Sequence, residues 1–428
     1  MVSFDVVITV NSPGEVAGWL APMAAALRSC PWAGRTIVFT PPCTFASGSE
    51  CRAIGGMPEV DLVYGPGAFV RFVLLGLRPR GYRPAVRGVV LFLGGDLANA
   101  ALLARRLRYP ALAYTEGRAA WLSSYARFAL PYETMRAKLL ARGVPADKLE
   151  VVGNLMLDAP WSGLGADEVR GLLGIGGRPL VLLLPGSRPA HVEYMAPFLL
   201  ETAARIHAFA PEAAFALSIS PFVDDRRLAE ALSSPGADRF GRPGSYTPGA
   251  ADGPAGETDW AAPGRIGMAG GPAVIAMRGR QHELMAAADL ALTIPGTNTF
   301  ELARHGTPTI VLLETGYPER IPLEGIPGLL GGLPVVGRIL KRHALPRIMA
   351  KVPFAAWPNR LAGGYVVPEL RGRIEPGAAA RAAAGLLADA EERTRMKKSL
   401  LSVVGQPGAS HRLATLAREV AAARFGEQ

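Results

Sequence analysis

The sequence predicts an α/β protein of two doubly wound, Rossmann-like domains that face each other across a cleft, with a C-terminal helix crossing back. Short apolar runs of strand length alternate with Ala-, Leu- and Arg-rich segments of helical period, which is typical of parallel βαβ units. The alternation stops near residues 155–176 and then restarts. The chain has 428 residues, of which 49% are hydrophobic, so it is long enough for two cores.

The first domain is predicted over residues 1–165. Its apolar runs predict strands at 4–10, 35–40, 60–65, 88–94, 111–115 and 126–131. Helical stretches separate these runs, so each strand is expected to lead into a crossover helix.

The second domain is predicted over residues 166–375. Its strands are predicted at 178–187, 213–220, 273–279, 288–296 and 307–314. The Gly- and Pro-rich residues 234–265 predict a surface loop, with a functional lid as the less favoured alternative. Residues 376–428 are predicted to form a helical segment that returns to the first domain.

The composition limits the classes of partner. A net charge of +10 suits an anionic partner, which could be a nucleic acid, a nucleotide or a membrane surface. Nucleic acid is not expected, because no strand interleaves aromatic and basic residues. Cys30, Cys43 and Cys51 lack CxxC spacing and the six histidines lack HExxH spacing, so neither a metal site nor a bound cofactor is expected. No apolar run reaches transmembrane length and the first residues predict a strand, so a soluble or peripheral protein in a reducing compartment is expected.

The stretch "LLLPGSRPAHVE" (182–193) predicts a phosphate-binding turn. The strand ends in Gly186, Ser187 and Arg188, and a helix is expected to begin near Pro189 or His191. Free amides at a helix N-terminus and a guanidinium together suit a diphosphate. The alternative is an ordinary βα turn with a solvent-facing arginine.

A second turn of similar design follows at "LTIPGTNTFELARHG" (292–306). Gly296 would let a ligand approach the backbone, Thr297 and Asn298 would supply polar groups, and Glu301 could accept hydrogen bonds from ribose hydroxyls. Two such turns in one domain favour a nucleoside diphosphate, although neither matches a Walker A or a GxGxxG motif.

Two carboxylates stand out in the first domain. Asp96 follows a strand and a Gly-Gly turn in "LFLGGDLANA" (91–100), so it could act as a general base at the cleft or cap the helix that starts at Leu97. Glu15 in "SPGEVAGW" (12–19) could contact a ligand or serve as an acid at the start of a helix.

In this order the motifs resemble those of the lipid-A-disaccharide synthases, inverting glycosyltransferases of the GT-B fold. "NSPGEVAGW" (11–19) is similar to the family's GEASGD opening, and "VVGNLMLDA" (151–159) to VGHPLLDA. The most specific element is "WPNRLAGGYVVPEL" (357–370), which is similar to LPNLLAGRxVVPEL. The resemblance runs from residue 11 to about residue 412.

The resemblance implies metal-independent transfer of an acylated glucosamine from UDP to the 6-hydroxyl of an acylated glucosamine 1-phosphate, which forms a lipid A disaccharide. It makes residues 1–165 the acceptor- and membrane-facing domain and residues 166–375 the UDP-sugar-binding domain. It makes Asp96 the catalytic base, and it puts Glu15 near the reacting sugars. The residues expected at the UDP-sugar are Gly186, Ser187, Arg188, Gly296, Thr297, Asn298, Glu301 and Asn359.

The chain departs from the family pattern at three places. Trp19 replaces an Asp, Asn154 replaces a His, and "AYTEGRAAWL" (113–122) replaces the signature SPSVWAW, so that Glu116 and Arg118 lie on an altered wall. These changes concern the acceptor side. The alternatives are therefore a GT-B transferase with another lipid acceptor, a UDP-sugar epimerase of the same fold, or a non-catalytic UDP-binding relative at the membrane surface.

Two segments mix apolar and basic residues, which favours contact with an anionic membrane. They are 65–88 and 325–351, and each could instead be a core helix with a basic outer face. The contact residues predicted in the first segment are Phe69, Phe72, Leu74, Leu75, Arg71 and Arg78. The expected location is the cytoplasmic face of the inner membrane, with a homodimer among the oligomeric states left open.

Overall fold

The structure is a computed structural model, and it describes residues 4–42, 50–159, 161–187, 189–221, 223–233, 243–252, 257–314 and 352–426. The chain divides into two compact units. Unit 1 is Met1–Pro160 together with Gly405–Gln428, and unit 2 is Trp161–Val404.

Unit 1 contains a seven-stranded parallel sheet in the order β3-β2-β1-β4-β5-β6-β7. Six of the strands coincide with predicted apolar runs to within a few residues, and the short β7 was not predicted. The strands are β1 Phe4–Thr9, β2 Ala33–Phe39, β3 Leu62–Tyr64, β4 Gly88–Phe92, β5 Ala111–Tyr114, β6 Arg127–Leu130 and β7 Leu149–Val151.

Helices cover both faces of this sheet, which is why its central strands are apolar throughout. In β1, Val6 belongs to one buried cluster and its neighbour Val7 to the cluster on the opposite face. The α-helices are α1 Pro13–Glu15, α2 Ala21–Arg28, α3 Glu50–Gly55, α4 Pro66–Leu75, α5 Leu97–Leu107 and α6 Glu133–Leu140. A π-helical turn, Val16–Leu20, joins α1 to α2, and 3₁₀ turns occur at Ala146–Lys148 and Leu155–Asp158.

Unit 2 contains an eight-stranded sheet in the order β10-β13-β14-β9-β8-β15-β16-β17. The pairs from β14 to β17 are parallel, as predicted, whereas β10 pairs with β13 and β13 with β14 in antiparallel fashion. The strands are β8 Leu180–Leu184, β9 Ala214–Ile219, β10 Gly244–Thr247, β13 Gly264–Met268, β14 Val274–Arg278, β15 Leu290–Thr293, β16 Thr309–Glu314 and β17 Glu369–Gly372.

The prediction of a loop over 234–265 is wrong for much of its described part. Besides β10, this part contains the small hairpin β11 Ala251–Asp252 and β12 Glu257–Thr258. Strand β10 is the edge strand of the large sheet, and β11 and β12 form a separate two-stranded sheet, so none of them has the long apolar run of a parallel strand buried on both faces.

The helices of unit 2 are α7 Ala166–Leu172, α8 Pro189–Phe209, α9 Asp225–Ser233, α10 Gln281–Ala287, α11 Thr297–His305, α12 Trp357–Ala362, α13 Pro376–Ala388 and α14 Ala390–Val404. The last helix of the chain, α15 Ala409–Phe425, instead packs in unit 1, where it contacts α2. The tail predicted as one segment from residue 376 is thus divided between the two units. In the described ranges, no helix is long and apolar enough to cross a membrane.

Each parallel sheet has one point at which the strand order reverses. In unit 1 this point lies between β1 and β4, and in unit 2 it lies between β8 and β15. Ligands of doubly wound folds bind outside the carboxyl ends of the strands at such a point. The candidate site residues follow from the turns at these two places.

Candidate functional site

The two predicted phosphate-binding turns are neighbours in unit 2. Strand β8 leads into Gly186 and Ser187, and β15 leads into the turn at Gly296. Gly186 has φ +101°, and a Cβ there would lie 2.7 Å from Cδ1 of Ile294. A side chain at 186 would thus be strained and would collide with the other turn. Arg188, the predicted diphosphate ligand, lies outside the described residues.

The second turn presents backbone rather than side chain. Gly296 has φ 150° and ψ −164°, a conformation essentially restricted to glycine, and nothing lies within 4 Å of the position of a Cβ. The hydroxyl of Thr299 donates to the Gly296 carbonyl at 2.8 Å and fixes the start of α11. Thr297 and Asn298 are half-buried in the first turn of that helix. The arrangement leaves room for a ligand against the helix N-terminus.

Glu301 lies on α11, one turn beyond these residues, and is only 5% exposed. Its Oε2 accepts a hydrogen bond from Nε2 of Gln281 at 3.2 Å. Burial raises the pKa of the Glu301 carboxyl to about 7, and the charge of Arg304 opposes this rise. The carboxyl therefore changes charge near neutral pH, so a ligand that prefers its ionised form can shift its protonation.

A histidine pair links the two helices that carry Gln281 and Glu301, and no sequence motif predicts it. Nδ1 of His282 lies 3.1 Å from Nε2 of His305, and the Trp161 ring meets His305 edge-on at 4.9 Å. Burial lowers the pKa of His282 to about 4 and that of His305 to about 3. Both rings are neutral at physiological pH, so they support α10 and α11 without adding charge near Glu301.

Asn359 has a role that its motif did not reveal. It is fully buried, its Nδ2 donates to Val367 O and to Glu369 Oε1, and its Oδ1 accepts from the amides of Val366 and Val367. These four bonds use the whole capacity of the amide. Asn359 thus organises the segment after α12 instead of presenting a free group, and its predicted contact with UDP would require one of these bonds to break.

Glu369 completes the same network and was missed as a key residue. Its carboxylate accepts from the amide of Ala356 at 2.9 Å and from Nε of Arg371 at 3.0 Å. Burial alone would raise the pKa of Glu369, but the Ala356 amide and the Arg371 guanidinium outweigh it and hold the pKa below its usual range. The amide of Trp357 in turn donates to Oγ1 of Thr299, which links this segment to α11.

In unit 1, Glu15 joins the two loops at the reversal point. Its carboxylate accepts from the amides of Asn11 at 3.0 Å, Ser12 at 2.9 Å and Gly95 at 3.2 Å. With Ser12 it forms the capping box that starts α1, which agrees with the alternative of a helix-start acid. A Cβ on Gly94 would lie 2.2 Å from the Glu15 carboxylate, so the Gly-Gly turn is needed for this approach.

Asp96 is the N-cap of α5, as the simpler interpretation predicted. Its Oδ1 accepts from the amide of Ala98 at 2.9 Å, and the residue is exposed. Burial raises the pKa of the nearby Tyr125 hydroxyl, and the charge of Asp96 adds to the rise. That hydroxyl keeps its proton and donates to Leu97 O at 2.5 Å. Asp96 is thus held at the carboxyl edge of the sheet with its carboxylate accessible.

The predicted membrane residues of 65–88 separate into two groups. Phe69 and Phe72 are each 3% exposed and pack around Phe39 in the core, so their predicted membrane contact is wrong. The reason is their helical spacing, which turns them to the sheet-facing side of α4. The exposed group is Leu74 and Leu75, at 67% and 68%, together with Arg71 and Arg78. The segment 325–351 lies outside the described residues.

No group of three or more potential metal ligands occurs among the residues that the structure describes. No family model matches the sequence. Curated relatives do: a lipid-A-disaccharide synthase from Anaeromyxobacter sp. (strain K) is 26% identical over 268 residues, which is 61% of this chain and 55% of the relative. Further proteins of that name match at up to 31% identity. The match to the Anaeromyxobacter protein spans only about half of that relative's length.

Solved structures resemble the whole chain. A candidate UDP-N-acetylglucosamine 2-epimerase from Listeria monocytogenes superposes with a TM-score of 0.59 at 14% identity, covering 100% of this chain and 98% of that one. The UDP-GlcNAc 2-epimerase of Neisseria meningitidis bound to UDP-GlcNAc gives 0.55 at 14% identity, covering 97% and 100%. The chain is thus related in sequence to the lipid-A-disaccharide synthases, and its fold is GT-B.

Proposed function

We propose that the protein is an inverting glycosyltransferase that moves an acylated glucosamine from UDP to an acylated glucosamine 1-phosphate. The observation that carries the proposal is the pair of adjoining glycine turns after β8 and β15, at the reversal point of a GT-B sheet. The names of the curated relatives supply the reaction, and the UDP-sugar enzymes among the structural neighbours supply the donor class.

On the donor side, unit 2 binds the UDP group through the backbone at Gly186, Ser187 and Gly296, with Arg188 as the charged partner of the diphosphate. Thr297 and Asn298 contribute at the start of α11. Glu301 accepts hydrogen bonds from the ribose hydroxyls in its ionised form. Asn359 acts as a positioning residue that holds the segment packed on α11.

On the acceptor side, Asp96 of unit 1 is the general base. The acceptor hydroxyl oxygen attacks the anomeric carbon of the donor sugar, Asp96 takes the hydroxyl proton, and UDP leaves with the electrons of the broken carbon–oxygen bond. This displacement inverts the anomeric centre. Glu15 positions the loop that precedes Asp96, through its bond from the Gly95 amide.

The exposed end of α4 serves as the membrane contact. Leu74 and Leu75 supply apolar surface, and Arg71 and Arg78 supply charge toward anionic lipid headgroups. The protein then works as a peripheral protein on the cytoplasmic face of the inner membrane, where an acylated donor and acceptor are both accessible.

The test follows a UDP-sugar labelled in its acylated glucosamine, with and without the monosaccharide lipid. A transferase moves label into a larger lipid only when the acceptor is present, whereas an epimerase changes the UDP-sugar without an acceptor. A non-catalytic relative binds the donor without turnover.

Asp96→Asn is the matched variant, because asparagine also caps a helix and should leave the fold intact. We expect it to lower turnover about 100-fold or more, and near-native turnover would remove Asp96 from its role.

A further inference from the structure

The departures from the family pattern come together in unit 1. The indole of Trp19 meets the ring of Tyr114 edge-on, with ring centres 5.6 Å apart. The Tyr114 hydroxyl accepts a hydrogen bond from the amide of Leu155 at 3.2 Å, and Nδ2 of Asn154 donates to the Tyr132 hydroxyl at 3.0 Å. Trp19 thus contacts Tyr114, and Tyr114 is bonded to Leu155, which follows Asn154 directly in the chain. The altered positions therefore form one connected wall at the carboxyl edge of the sheet.

The loop that leaves this wall, Thr115–Tyr125, is held firmly from several sides. Oγ1 of Thr115 donates to Arg118 O at 2.6 Å and accepts from the Arg118 amide at 3.0 Å. Nζ of Lys148 donates to Leu122 O at 2.6 Å and to Tyr125 O at 2.8 Å. The Tyr125 hydroxyl also donates a hydrogen bond to Leu97 O in the first turn of α5. This bond fixes the loop relative to Asp96, the N-cap of the same helix.

Trp121, within this loop, combines backbone strain with exposure. Its φ is +57°, the left-handed region that a bulky residue avoids, and its side chain is 55% exposed. A half-exposed indole in a strained conformation adds little to the core of unit 1. Strain of this kind persists where the surrounding structure enforces it, and it concentrates at sites of function.

Arg118 brings a positive charge to the same place. Its Nη2 donates to Gly95 O at 3.4 Å, and Gly95 immediately precedes Asp96. The residue is exposed, and a guanidinium has five N–H donors, of which this bond uses one. A guanidinium binds phosphate or carboxylate through paired N–H groups, and an indole packs on apolar surface such as a sugar face or an acyl chain.

We propose that the loop Thr115–Tyr125 is the acceptor-recognition element, in which Arg118 binds the anionic group of the acceptor and Trp121 packs on its apolar part. The proposal rests on the proposed glycosyl transfer and deepens it, because it assigns the recognition of an anionic, amphipathic acceptor to residues that the family pattern lacks. Arg118 and Trp121 determine specificity, and Asp96 keeps the role of base.

The test compares the acylated glucosamine 1-phosphate with its dephosphorylated form, each in detergent micelles. We expect Arg118→Gln to raise the KM for the phosphorylated acceptor about 10- to 100-fold and to leave the KM for the UDP-sugar unchanged. Arg118→Lys should restore part of the loss, and the dephosphorylated acceptor should not distinguish the variants. Arg142→Gln, also an exposed arginine of unit 1, is the matched control. An unchanged acceptor KM in Arg118→Gln would overturn the proposal.

Trp121→Gly separates recognition from stability. Glycine accepts φ +57° without strain, so the melting temperature should not fall, while the KM for the acceptor should rise about 10-fold. An unchanged acceptor KM in this variant would contradict the role of Trp121.

A direct binding measurement distinguishes failure of this proposal from failure of the proposed function. Both lipids are titrated into the full-length wild type and into Arg118→Gln by calorimetry, without a donor. If no turnover is found but the wild type prefers the phosphorylated lipid and Arg118→Gln does not, glycosyl transfer is wrong and the recognition loop stands. If both proteins bind the two lipids equally, the recognition loop is wrong.

Discussion

The raised pKa of Glu301 predicts that donor binding depends on pH. With a pKa of about 7, roughly a tenth of the free protein carries an ionised Glu301 at pH 6 and roughly nine tenths at pH 8. Ribose hydroxyls donate to the carboxylate, so the ionised form binds. The apparent Kd is the intrinsic Kd divided by the competent fraction, so donor binding should be about tenfold weaker at pH 6 than at pH 8.

The assay is calorimetric titration with UDP-N-acetylglucosamine between pH 6 and pH 8. A UDP-sugar is preferable to UDP, because the terminal phosphate of UDP itself titrates near pH 6. His282 and His305 do not interfere, since their pKa values of about 4 and about 3 keep them neutral throughout this range. Glu301→Gln should abolish the dependence, whereas Glu230→Gln, an exposed residue of α9, should retain it.

The same group has the opposite effect on stability. A carboxyl whose pKa is raised in the folded protein favours its protonated form there, so the free energy of unfolding falls as pH rises from the unfolded value of 4.5 toward about 7. Affinity should thus improve over part of the range in which stability declines. Donor affinity that is constant from pH 6 to pH 8, or a dependence that survives in Glu301→Gln, would refute the assignment.

Three further predictions concern the turn, the Asn359 network and the membrane contact. Gly296→Ala should weaken UDP-N-acetylglucosamine binding about tenfold by calorimetry, because alanine disfavours φ 150° and ψ −164°, whereas Gly171→Ala in α7 should not. Asn359→Ala should lower the free energy of unfolding of unit 2 by about 3 kcal/mol in urea titration, because it leaves the amides of Val366 and Val367 unpaired. A loss of donor affinity without this destabilisation would contradict the structural role of Asn359. The double variant Leu74→Ser, Leu75→Ser should co-sediment less with anionic vesicles and keep its melting temperature, because both side chains are exposed. Phe72→Ala should instead lower the free energy of unfolding by about 3–5 kcal/mol, because Phe72 is buried. Unchanged co-sedimentation of the double variant would contradict the membrane contact.

The parallel strands could be predicted from the sequence because both faces of each sheet are covered. Such strands are continuous apolar runs, and β1 and β8 were recognised for this reason. Strands β7 and β17 were not, because each includes charged residues and is only partly buried. The edge strand β10 and its neighbour β13 lie in or next to a Gly-rich segment whose composition resembles that of a loop.

The candidate site could be predicted only where local chemistry defines it. Glycine turns after strands are local signals, and the structure brings the turns at Gly186 and Gly296 together as the topology requires. The pairing of His282 with His305 depends on how two helices pack, which no local pattern encodes. The mixed apolar and basic composition of 65–88 predicted membrane contact for Phe72, whereas its helical spacing indicates a core-facing side chain. The structure agrees with the spacing, because Phe72 belongs to a buried cluster.

Mass spectrometry of the lipids formed by the purified protein tests glycosyl transfer most directly. The protein is given UDP-linked diacylglucosamine with and without the diacylglucosamine 1-phosphate acceptor. We predict a lipid whose mass is the sum of the two acylated sugars less one water, formed only when both substrates are present and strongly reduced in Asp96→Asn. A donor that is consumed or isomerised without the acceptor, or that stays intact when both substrates are present, would contradict the account.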